Sequence, residues 1–199
     1  MEQIFQSTLN TRPILDNSLR YIRSDVPTEV TESERAWLLD NGITTIVDLR
    51  TDAERSRKVC PLEHDCRFQY CIRPVTGGSA VPSSVNEVVN SYIKMADEHL
   101  HRTVQFIMDS KANVLYFCNA GKDRTGVLSA VLLYKSGKQT DYIVDDYMKS
   151  EQNLSSMLKA FAKQNPEISI DVITPQRIYI ESFLAWFVEN ESCSCIKEA

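Results

Sequence analysis

The sequence predicts a single α/β domain with a mostly parallel central sheet flanked by helices. Three observations lead there. A length of 199 residues suits one domain of ordinary size, 43% hydrophobic and 25% charged residues are the balance of a packed chain, and short β-branched runs alternate with amphipathic stretches. No repeat, low-complexity tract or linker divides the chain, so residues 1–199 are read as one domain with 190–199 as a frayed tail.

The first firm element is "TESERAWLLDNG", where Thr31 and Glu34 have capping-box spacing, Trp37 and Leu38 begin an apolar face, and Gly42 is a good stop. It runs into "ITTIVDL" (43–49), whose β-branched residues read as a buried strand. A short charged helix follows at about 52–58, then a strand in "FQYCIRPV" (68–75) and a Gly/Pro/Ser connector in "TGGSAVPSS". From Val85 to about Ser110, apolar residues recur at helical spacing, as one long helix or two abutting ones. "NVLYF" (113–117) is the third strand, and "RTGVLSAVLLYKSG" opens the next helix. Further helices are expected at about 140–149, 151–164 and 175–190, the last with Thr174 as N-cap and Pro175 in its first turn.

In such folds ligands bind beyond the carboxyl ends of the strands, which is where "FCNAGKDRTG" (117–126) lies. A loop from strand to helix aims backbone N–H groups and the positive end of a helix dipole at one region. Residues Asn119, Ala120, Gly121, Lys122, Asp123 and Arg124 therefore read as a phosphate cradle. Gly121 has the freedom to take a positive φ, Gly126 lets the helix pack closely, and Arg124 can fork two N–H bonds onto an oxyanion. Cys118 sits at the base, where the same field favours a thiolate. The dipole supplies at most ~2 kcal/mol, or ~1.5 pK units, so loop amides and Arg124 must supply the rest. A thiolate placed there can attack phosphorus and give a phosphocysteine, and Thr125 can donate its hydroxyl to the sulfur. The leaving oxygen needs a proton donor, for which Asp123 is favoured and Asp48, at the end of the first of these strands, is the other candidate.

"CNAGKDRTG", with cysteine and arginine five residues apart, resembles the signature loop of cysteine-dependent protein tyrosine phosphatases. "LRYIRSD" (19–25) and "TTIVDLRTDAER" (44–55) are similar to the bacterial and fungal branch of small tyrosine and dual-specificity phosphatases, some of which also hydrolyse phosphoinositides. The likeness covers roughly 18–150. It implies a tyrosine-phosphatase-like fold, with Cys118 as nucleophile, Arg124 binding the phosphoryl group, Asp123 as acid and Lys122 tied to phosphoinositide activity. The substrate is then a phosphotyrosine protein, or alternatively a phosphoinositide. Two departures stand out: Phe117 occupies the position where most members have His, and the family's Asn-Phe-Arg-Asp-type stretch is not visible in "NTRPILDNS". Phe117 motivates a second alternative, a phosphate-binding module without turnover.

Other readings fit less well. No glycine stands five before Gly121, so this is not a Walker loop, and a sulfurtransferase or arsenate reductase does not account for "DLRTDAER". A net charge of −5 and a pI near 5.3 argue against nucleic acid as a partner. No cofactor is expected, and no metal, since His64, His99 and His101 lack ligand spacing. The start "MEQIFQSTLNTRPIL" lacks a signal-peptide pattern, no segment is long enough to span a bilayer, and the six cysteines have no scaffold spacing. A reducing, cytoplasmic setting with free thiols is the expectation. Within it, Cys60, Cys66 or Cys71 could still form a protective disulfide with Cys118, while Asp48 and Arg50 read first as a structural pair.

Overall fold

The computed structural model describes the backbone of residues 4–78 and 81–197, and side chains as far as Glu191. Five strands form one sheet in the order β1 (Arg12–Leu15), β2 (Ser18–Asp25), β5 (Asn113–Cys118), β3 (Ile43–Asp48), β4 (Gln69–Ile72). The β1–β2 hairpin is antiparallel and every other pairing is parallel, as the alternation of strand and helix predicts. The hairpin itself is an addition to the sequence reading. Its turn passes through Asn17 at φ 55, a conformation that Asn tolerates.

Helix α1 (Glu32–Asp40) carries the expected Thr31–Glu34 capping box, and Gly42 follows at φ +67. Helix α2 (Asp52–Arg57) has a second box, Thr51 with Glu54. The stretch 85–110 divides into α3 (Val85–Met95) and α4 (Glu98–Asp109), because Asp97 caps a new helix by accepting from the Leu100 N–H. After α5 (Asp123–Lys135) comes one 25-residue helix, α6 (Thr140–Gln164), in place of the two expected. No Gly or Pro interrupts it, and buried Ser150 lies mid-helix. A short helix, α7 (Ile170–Ile173), precedes α8 (Arg177–Lys197), so Thr174 is the C-cap of α7 instead of the N-cap of the last helix. Helix α8 runs past residue 190, where a frayed tail is expected, since no Gly or Pro follows Arg177; the side chains of Cys193 and Cys195 lie outside the described residues. No described helix is long and apolar enough to cross a membrane.

The core has two parts, one on each face of the sheet, and the period-2 alternation of β5 shows how they divide. Val114, Tyr116 and Cys118 join the larger cluster with α3, α4, α5, α6 and α8, whereas Leu115 and Phe117 join the smaller one with Leu38, Ile46 and Phe68. Cys118 thus ends the central strand on the side of α5, level with Asp25 of β2, and Phe117 is level with Asp48 of β3.

Candidate active site

At the end of β5 the chain turns through residues 119–122 into α5. Gly121 adopts φ +64 and lies so close to β2 that a Cβ would come within 2.5 Å of the backbone of Ser24 and Asp25, so only glycine fits. Its carbonyl is turned away from the loop, accepting from Asn10 Nδ2 and Arg23 Nη2, each at 2.9 Å. The N–H groups of residues 119 to 124 donate to no described residue. These six consecutive donors meet the start of α5, which has no side-chain cap.

Arg124 is buried, and its direction is set by Glu54 of α2. Nη1 donates to Oε2 at 2.7 Å and Nη2 to Oε1 at 2.6 Å, while Nη1 also reaches the Leu49 carbonyl at 3.4 Å. This end-on fork leaves Nε–H and the second Nη2 hydrogen, which share one edge, without a described acceptor. Burial works against the guanidinium charge, but Glu54 and the nearby Cys118 sulfur outweigh it and raise the Arg124 pKa. Burial alone would likewise lift the Glu54 carboxyl; hydrogen bonds from Arg124 and the Thr51 N–H hold it at about 2. Glu54 also accepts from Asn119 Nδ2 at 2.7 Å, so one carboxylate braces both ends of the loop. Sequence reasoning missed Glu54, although its capping-box spacing from Thr51 was a signal.

Behind the loop lies a buried ionic group. Arg12 Nε and Arg23 Nη1 donate to the two oxygens of Asp146, at 2.9 and 2.6 Å, and Arg12 Nη2 reaches Ser150 at 3.0 Å. Two guanidiniums face one carboxylate, and burial together with the like charge of Arg23 brings the Arg12 pKa down to about 10. Asp25 accepts the N–H groups of Leu9 and Asn10, which places Asn10 against Gly121. The segment "NTRPILDNS", in which the family stretch is not visible, therefore supplies Asn10 and Arg12 to the loop's support, and Arg23 comes from "LRYIRSD".

The other candidate residues separate clearly. Asp48 is fully buried and accepts from Arg50 and, at 2.6 Å, from Tyr70, the structural role that its spacing from Arg50 suggested. Phe117 packs on the far face, with the Arg50 guanidinium 5.3 Å from its ring centre. Asp123 lines a cavity of about 90 Å³ walled by Val81, Pro82, Val88, Met95, Val172 and Ile173, so the connector and α7 both contribute. Lys122 lines it too, with Nζ donating to the Ile173 carbonyl at 2.6 Å and lying 3.3 Å from Asp123 Oδ1. The Thr125 hydroxyl is buried with no hydrogen-bond partner among the described residues. Cys60, Cys66, Cys71 and Cys118 are free. Cys60 is on the opposite face, its thiol pushed up to about 11 chiefly by burial, and Cys71 is two strands from β5, about 9.6 Å and beyond disulfide reach.

Comparison with known sequences decides the family, since the profile of the tyrosine phosphatase family matches residues 17–191. The chain belongs to that family. A tyrosine-protein phosphatase of Nostoc commune is 27% identical over 149 residues, 70% of this chain and 51% of the relative, so the chain spans about half of that protein's length. The triple specificity protein phosphatase PtpB of Mycobacterium tuberculosis is 26% identical over 199 residues, 78% of this chain and 71% of PtpB. Among solved structures, the core catalytic domain of the PP-IP phosphatase SIW14 from S. cerevisiae matches with a TM-score of 0.46 and 16% identity, covering 80% of this chain and 94% of that one.

Proposed function

We propose that this member of the family hydrolyses phosphotyrosine through a phosphocysteine on Cys118. The observation that carries the reading is the set of donors that follow Cys118 in the chain and have no acceptor among the described residues: six loop N–H groups and the open edge of Arg124. Together they suit a tetrahedral dianion, and charge-assisted bonds of this kind are about twice as strong as neutral ones. The Cys118 thiolate attacks phosphorus, the bond from phosphorus to the tyrosyl oxygen breaks, and Asp123 gives its proton to the departing phenolate. Water then attacks phosphorus and loses a proton to Asp123, the bond from sulfur to phosphorus breaks, and inorganic phosphate leaves. The Thr125 hydroxyl, buried without a partner among the described residues, stabilises the departing thiolate. Asp48 takes no part, because Arg50 and Tyr70 occupy its oxygens.

The cavity next to Asp123 favours an aryl ester over a second phosphate. Its walls are largely apolar, and Lys122, the one cation among its described lining residues, is engaged by the Ile173 carbonyl and Asp123. Phosphate release from a phosphotyrosine peptide and from a phosphoinositide, measured side by side, tests this. The peptide is expected to turn over and the lipid to be inert. Faster release from the lipid would overturn the substrate assignment, and binding of the peptide without release would make the protein a phosphate-binding module.

A further inference from the structure

The acid assigned above is held by a residue on another helix, which that reading does not use. Asp123 Oδ1 accepts from the hydroxyl of Tyr92 at 2.7 Å, and Tyr92 lies 2.8 Å, oxygen to oxygen, from Tyr147. Both rings are fully buried and meet edge to face, and the Tyr147 ring also closes on Gly126, where a Cβ would sit 3.1 Å away. The chain of hydroxyls thus joins α3, α6 and the first turn of α5. Asp123 Oδ2 has no hydrogen-bond partner among the described residues, and the side chain is 29% exposed.

We propose that Tyr92 is the positioning residue for the acid: by donating to Oδ1, it leaves Oδ2 as the oxygen that carries the transferred proton. The inference rests on the phosphocysteine reading. A phenol has one proton. Tyr92 donates its proton to Asp123, so Tyr147 donates to Tyr92 and the direction of the chain is fixed. A proton on Oδ1 would meet the Tyr92 hydrogen, whereas a proton on Oδ2 leaves the chain intact. When the leaving oxygen takes that proton, the bond from Tyr92 becomes charge-assisted and stabilises the new carboxylate, and no group has to turn. Tyr92 is not itself the donor, because burial first, and then the Asp123 charge, push its pKa well above the ordinary phenol range.

The test is the leaving-group dependence of kcat/KM in Tyr92→Phe, with Asp123→Asn and the double variant beside it. Loss of a hydrogen bond to a charged group is expected to slow phenyl phosphate about tenfold, with a loss several times smaller for p-nitrophenyl phosphate, whose leaving group needs little protonation. In the Asp123→Asn background, Tyr92→Phe is expected to have no further effect. Equal slowing of both esters by Tyr92→Phe, or additive effects in the double variant, would overturn the proposal. Equal slowing of both by Asp123→Asn would remove Asp123 as the acid, and this proposal with it, while loss of turnover in Cys118→Ser would still support the phosphocysteine. Should Tyr92→Phe not fold, Tyr147→Phe keeps the Tyr92 oxygen but removes its donor, and a selective loss of smaller size is expected, with uniform loss again contradicting.

Discussion

Arg124 acts on an oxyanion only if its guanidinium keeps one edge open, and Glu54 makes that possible by taking the other end of the fork. That bond has a pH signature. The Glu54 carboxyl falls from an ordinary 4.5 to about 2 in the folded protein, so its contribution to stability is fully present above about pH 4.5, shrinks as pH falls, and is gone below about 2. Urea unfolding of wild type and Glu54→Gln between pH 5 and 2.5 checks it. The wild type is expected to lose more stability over this range than the variant, and parallel profiles would contradict the pairing. At this scale the sequence was most informative where local chemistry decides. The positive φ of Gly121 and the Asp48–Arg50 pair were legible from residue type and spacing. Glu54 was not, because its partner lies 70 positions away and only the folded chain brings them together.

Among the elements, β1, β2, α6 and the loop are pinned through Arg12, Arg23 and Asp146. Burial alone would raise the Asp146 pKa, but Arg23 and Arg12 outweigh it and hold the carboxyl below its usual range. Replacing Asp146 by Asn leaves two buried guanidiniums without a counter-charge, which costs about 3–5 kcal/mol in comparable buried pairs. Equilibrium unfolding should show a loss of that order, and a loss below about 1 kcal/mol would mean that water or neighbouring carbonyls already satisfy the arginines. Helices α1 to α5 and three of the four parallel strands, β3, β4 and β5, were legible because their apolar spacing and caps are local signals. The β1–β2 hairpin was harder. "RPIL" is short and contains a proline, and the pairing sets Arg12 opposite Arg23, an arrangement that makes sense only once Asp146 of α6 is beside both. The stretch expected as two helices, at about 140–149 and 151–164, is the continuous α6, and Ser150 in its middle is held by Asn10 and Arg12, partners far away in sequence.

For the whole molecule, the sheet separates two tasks. One face carries Phe117, Tyr70, Asp48 and Arg50 as a structural pack, while the other carries Cys118 toward α5 and the cavity lined by Asp123. The alternation of β5 lets Phe117 be buried on one side without blocking the sulfur on the other. The site thus gathers residues from the N-terminal segment, α2, α3 and α6 around one loop, and this long-range gathering is what the sequence could not display. The claim on which all of it depends is that Cys118 takes up the phosphoryl group. Rapid mixing with p-nitrophenyl phosphate, an acid quench and peptide mass spectrometry test it directly. The expected result is a phosphoryl group on the peptide containing Cys118, formed with the burst of nitrophenol and lost in Cys118→Ser together with turnover. A wild type that turns over with the phosphoryl group on another residue, or a Cys118→Ser variant that keeps its turnover, would contradict the account.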